Sequence, residues 1–69
     1  MSYIFINLQY ILDKKGMSAR ELAKRTGIRH PTISEMCNNK SRHLPLNNIA
    51  LICDELEIDV SDLLILKNK

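Results

Sequence analysis

SARELAKRTGIRHPTISEM, residues Ser18 to Met36, decides the fold of this 69-residue chain. Read with helical periodicity, it divides into two short helices around Gly27. Ser18 followed three residues later by Glu21 is a capping box, in which hydroxyl and carboxylate satisfy amides that a first helical turn leaves without partners. The first helix then runs to about Thr26 and buries Ala19, Leu22 and Ala23. Gly27 suits a sharp turn, because a Cβ there would clash or strain a positive φ. Ala23 is small enough for the next helix to approach closely. That helix starts near His30, with Pro31 in its first turn, where a missing N–H costs nothing. It continues to about Asn38, with Ile33, Met36 and Cys37 inward and His30, Ser34 and Glu35 outward. The spacing over 18–38 is that of a helix-turn-helix, whose second helix must stand clear of the body to enter a DNA major groove.

The flanks supply the support for that motif. Tyr3-Ile4-Phe5-Ile6 is β-prone and too short for a helix. Asn7 then offers a helix N-cap, and Leu8, Ile11 and Leu12 form an apolar stripe at i, i+3, i+4. Lys14 and Lys15 suit the negative end of that helix, and Gly16 stops it in the left-handed conformation. Beyond the motif, Asn38-Asn39-Lys40-Ser41 is a polar turn in which Asn39 tolerates positive φ. Pro45 introduces a helix with the stripe Leu46, Ile49, Ile52, Cys53 and Leu56. Ser61 is the expected cap of a last short turn, Asp62-Leu63-Leu64.

These elements predict an all-α fold: a single compact five-helix domain over 1–69. The apolar ends, 3–6 and 63–66, are expected to pair as a short β-ribbon, within one chain or between two. Composition agrees, since a chain 45% hydrophobic with no Trp and one Phe must build an aliphatic core, which suits packed helices. No run approaches the ~20 apolar residues of a membrane span, and the N-terminus lacks the pattern of a secretory signal. Cys37 and Cys53 sit at apolar helical positions without C-x-x-C spacing and read as free, buried thiols in a reducing compartment. With His43 they match no zinc spacing, so no metal and no cofactor is expected. The expected location is the cytoplasm.

Net charge is only +2, but its distribution is uneven. From Lys14 to His43 there are eight basic and two acidic side chains; from Leu44 onward five acidic side chains oppose two lysines. Positive charge therefore coincides with the helix-turn-helix, as a polyanionic partner favours.

The motifs together resemble the phage Cro/repressor-type (XRE) helix-turn-helix family, in particular its minimal single-domain members. The resemblance spans nearly the whole chain: NLQYILDKKGMS before the motif, RELAKRTGI within it, TISEM as the reading helix, then LPLNNIALICDEL and VSDLL. It implies a lambda-repressor-like DNA-binding domain and a sequence-specific regulator of transcription, bacterial or phage-encoded, with repression the expected role, and often a homodimer. Transferred residue by residue, the base-contacting positions are Arg29, His30, Pro31, Ser34 and Glu35. The backbone-contacting positions are Ser18, Arg20, Thr32, Asn38, Lys40 and Arg42. Three departures stand out: Ala19 occupies a position where relatives often carry a phosphate-gripping Gln, Cys37-Asn38-Asn39 replaces a common Glu-Asn-Gly, and Pro31 removes one backbone donor from the end of the reading helix.

Expected chemistry follows from residue types. Arg29 has the forked geometry for guanine O6 and N7, Glu35 can accept from cytosine N4, and His30 and Ser34 are adaptable. Lysine and arginine contacts to phosphate release counterions and give binding a steep salt dependence. Residues 3–6 and 63–66 are the candidate dimer surfaces. The rival expectation is a protein-interaction module of the same fold, an antitoxin or antirepressor acting on a protein. Catalysis is not expected: there is no Ser/His/Asp set, no phosphate-cradling glycine loop and no room for a substantial pocket or small-molecule substrate.

Overall fold

The computed structural model describes residues 1–69. Strand β1 (Ser2–Ile6) leads into helices α1 (Leu8–Lys15), α2 (Ala19–Thr26), α3 (His30–Cys37), α4 (Leu46–Leu56) and the single turn α5 (Val60–Leu63), and strand β2 (Leu64–Asn68) closes the chain. The helical fold with a short terminal ribbon matches expectation. The two ends pair within one chain: β1 and β2 are antiparallel, with Ser2 opposite Asn68 and Ile6 opposite Leu64. No helix is long and apolar enough to cross a membrane.

Fourteen apolar residues form one core that draws on β1 and all five helices. Eight side chains, among them Leu8, Leu22, Ile33, Met36 and Leu63, lose essentially all contact with water. Each such burial contributes about 1.5–3 kcal/mol. Helix α2 packs on α3 and α4, and α1 packs on α3, so α3 is held on its inner side by two helices.

The helix ends show where side-chain chemistry departs from the sequence reading. Asn7 stands at the head of α1 but does not cap it; its amide donates to the Asp62 carbonyl at 3.3 Å and ties α1 to α5. At α2 only half of the expected capping box forms. Ser18 Oγ accepts from the Glu21 N–H at 3.1 Å, while the Glu21 carboxylate turns to Arg25 at 2.8 Å, one helical turn on. The reciprocal carboxylate instead appears at α5, where Asp62 Oδ2 accepts from the Asp59 N–H at 3.0 Å. Asp59 is therefore the N-cap and Ser61 lies inside the turn.

Other side chains sit differently from expectation. Leu46 is 85% exposed, because Pro45 places it at the first position of α4, ahead of the turn that faces the core. Ala19 and Cys37 are only partly buried at the rim, and Leu44 and Met17 fill in around the core instead. Gly16 and Gly27 do adopt positive φ, 65° and 77°. A Cβ at Gly27 would meet open space, so its requirement is conformational and not steric.

Candidate nucleic-acid interface

The turn between α2 and α3 is closed by a hydroxyl as well as by Gly27. Thr26 Oγ1 donates to the Leu22 carbonyl at 2.8 Å and accepts from the Ile28 N–H at 3.2 Å. Gly27 N–H bonds the Ala23 carbonyl at 2.9 Å. The Thr26 hydroxyl and the Gly27 and Ile28 N–H groups are thereby occupied locally, which ties the bend to the last turn of α2. Ile28 then enters the core and anchors the chain just before α3 begins.

Helix α3 buries Ile33 and Met36 and turns its remaining surface outward. Arg29 occupies its N-cap position in an extended conformation, and the Arg29 carbonyl accepts from the Thr32 and Ile33 N–H groups. Its side chain is exposed, as are Pro31, Glu35 and Asn38, while His30, Thr32 and Ser34 are half-buried. Of the five positions expected to meet bases, Arg29, Pro31 and Glu35 are thus exposed and His30 and Ser34 half-buried, while Ile33 and Met36 lock the opposite side of α3 into the core.

After α3 the chain turns sharply. Asn39 takes the left-handed conformation, φ 56°, which lets the Lys40 N–H reach back to the Glu35 carbonyl at 2.9 Å. The Asn39 side chain then holds β1 from outside: its Oδ1 accepts from the Ile6 N–H at 2.7 Å and its Nδ2 donates to the Ile6 carbonyl at 3.0 Å. This clamp fixes where Lys40 and Arg42 leave the helix.

Beside the exposed face of α3 lies an open groove of about 420 Å³ lined by polar side chains together with the ring of Pro45. Thr32 and Glu35 come from α3, Lys40, Arg42 and His43 from the loop, and Asn48 from α4. Four expected contact residues, Thr32, Glu35, Lys40 and Arg42, are brought together here. Ser18 and Arg20 stand apart, at the start of α2. His43 and Asn48 were not among the expected contacts; the polar stretch between Asn38 and Asn48 was their only trace in the sequence.

Electrostatics separate the structural cations from the free ones. Both ion pairs in the chain use Arg25, which meets Glu21 at 2.8 Å and Glu55 at 3.4 Å and so links α2 to α4. The hydrogen bond from Arg25 lowers the Glu21 carboxyl below its usual range, and those from Glu21 and Glu55 raise the guanidinium further. Arg20, Lys24, Arg29, Lys40 and Arg42 have no acidic partner within the chain. Cys37 and Cys53 are free thiols, and burial pushes both upward from the ordinary thiol range, so they stay protonated and inert near neutrality.

Residues 7–69 match the profile of the Cro/C1-type HTH DNA-binding domain. The chain is 36% identical over 61 residues to the uncharacterised HTH-type transcriptional regulator YozG of Bacillus subtilis, spanning 88% of this chain and 73% of that protein. Its fold superposes with a TM-score of 0.80 on the crystal structure of a candidate DNA-binding protein from Bacteroides fragilis, at 27% identity, over 91% of this chain and 100% of that one.

Proposed function

Because the chain belongs to the Cro/C1-type helix-turn-helix DNA-binding family, a family of transcriptional regulators and not of enzymes, we propose that it represses transcription by inserting α3 into the major groove of double-stranded DNA. The single observation that carries this reading is the outer side of α3: exposed Arg29, Pro31 and Glu35 beside half-buried His30 and Ser34, on a helix held by the core and flanked by cations that form no ion pair within the chain. Arg29, His30, Pro31, Ser34 and Glu35 face base edges in this reading. Ser18, Arg20, Thr32, Asn38, Lys40 and Arg42 follow the phosphates.

The division of labour follows from chemistry. Arg29, at the leading end of the helix, reads guanine with its forked donors, and Glu35 accepts from cytosine while Lys40 and Arg42 offset its charge at the phosphates. One such unit offers a small interface, so two copies act on half-sites about 34 Å apart. Selection from a random duplex pool tests the proposal. Enrichment of a palindrome with such spacing is the expected result, and a pool that stays unenriched contradicts it.

A further inference from the structure

The two-stranded ribbon has two open edges, and they differ. In β1 the odd-numbered residues bond to β2: the Lys69 N–H reaches the Met1 carbonyl at 2.9 Å and the Asn7 N–H reaches the Leu63 carbonyl at 2.8 Å. The peptide groups of Ser2, Ile4 and Ile6 therefore point away from β2, by the two-residue alternation of a strand. At Ile6 both outward groups are taken by the Asn39 amide, which accepts and donates as a neighbouring strand would. Two slots remain, at Ser2 and Ile4.

No charged side chain of β1 guards these two slots. Proteins commonly guard open edges with lysine, and β2 carries Lys67 with Lys69 just beyond. From Met1 to Leu12 there is no charged side chain. Around the open slots, Tyr3 is 41% exposed, Ile4 54% and, across the ribbon from Ile4, Leu66 69%. A two-stranded ribbon is marginal alone and gains from added strands.

We propose that the outer edge of β1 pairs antiparallel with β1 of a second copy, which rests on the dimeric reading above and specifies its contact. The register follows from the two free slots. A partner strand stops short of Ile6, where Asn39 stands, so Ser2 bonds the partner's Ile4, Ile4 bonds the partner's Ser2, and Tyr3 lies opposite the partner's Tyr3. Four main-chain hydrogen bonds and one cross-strand aromatic pair result. No side chain of β1 is charged on either copy, so like edges meet without side-chain repulsion between the strands, whereas two β2 edges would bring lysines together. So small a contact falls below the ~1,000 Å² of a self-sufficient interface. The pairing is accordingly weak in free solution and is completed when DNA holds two copies side by side.

Disulfide trapping tests the register. Facing residues at a non-hydrogen-bonded antiparallel position have Cα atoms about 4.5 Å apart, within disulfide reach. Tyr3→Cys should give a covalent dimer on mild oxidation. Ile4→Cys, more exposed but out of register, and Lys67→Cys, on the far strand, should link no faster than the parent chain with its two native thiols. Adding Ile4→Pro to Tyr3→Cys removes an outward N–H without breaking the β1–β2 ladder and should abolish the dimer. Equal linkage of all three cysteine variants, or preferential linkage at Lys67→Cys, overturns the proposal and leaves β1 open to a strand of another protein. Binding of the reduced Tyr3→Cys chain to a single half-site duplex separates the two readings. Half-site binding without Tyr3 linkage condemns the edge alone, and linkage without binding to any duplex condemns the DNA reading alone.

Discussion

Replacing Asn39 probes the joint between the reading helix and the ribbon. Two side-chain hydrogen bonds, at 2.7 and 3.0 Å, would be lost from Ile6. Each contributes about 0.5–1.5 kcal/mol net, and a partly buried amide left without a partner costs more than the bond it loses. Asn39→Gly keeps the left-handed conformation available and isolates this hydrogen-bond loss, expected at about 1–3 kcal/mol. Asn39→Ala adds the strain of a Cβ at φ 56°, up to about 1–2 kcal/mol beyond the glycine variant. A domain of this size has roughly 3–10 kcal/mol in total, so the alanine variant should sit close to its folding limit. Urea melts followed by circular dichroism read both differences directly. Variants within about 0.5 kcal/mol of the parent would show that the clamp is incidental. An alanine variant no worse than glycine would refute the conformational half of the reasoning.

Arg29→Ala should weaken the selected duplex by about 1–3 kcal/mol while relaxing preference at one base position, read by titration against a library of variant sites. Equal loss on every sequence would place Arg29 on a phosphate instead. Glu57→Gly should stabilise the fold by roughly 0.5–1 kcal/mol, because Glu57 ends α4 at φ 55°, a conformation glycine adopts without strain; a lower urea midpoint would contradict this. The Glu21–Arg25 bond gives acid sensitivity of defined sign. With the folded carboxyl lowered, its contribution is present above the unfolded value of ~4.3 and disappears as pH falls through the folded value. Glu21→Gln should therefore flatten the acid limb of stability against pH, and an unchanged limb would exclude the pair as its source.

Much of this architecture was legible because local signals and the global pattern agreed. The apolar stripes of α1 and α3, the two glycines at positive φ and Ser18 at the head of α2 all report backbone needs that few residues can meet. Interactions that cross the chain left no comparable trace. Glu21 had two uses, the Ser18 amide or Arg25, and sequence spacing favoured the first while a charged partner one turn away won. Asn39 was read correctly as a left-handed residue, yet its amide reaches Ile6, thirty-three positions earlier, and only the folded chain brings the two together. Leu46 misled because periodicity takes no account of where a helix begins. Of the α3 residues that helical period turned outward, Glu35 is exposed while His30 and Ser34 are half-buried. The groove that joins Thr32 and Glu35 to Lys40 and Arg42 depends on how the loop folds back, which residue types do not specify.

The most direct test of the central claim, that the outer side of α3 reads duplex DNA between phosphate-bound cations, is a titration of the selected duplex across a range of salt concentrations. With Arg20, Lys40 and Arg42 each neutralising a phosphate, log K should fall against log salt with a slope of about −3 per protomer, and Lys40→Ala should make it shallower by about one. A protein that binds no duplex, or one whose binding ignores salt, would contradict the account.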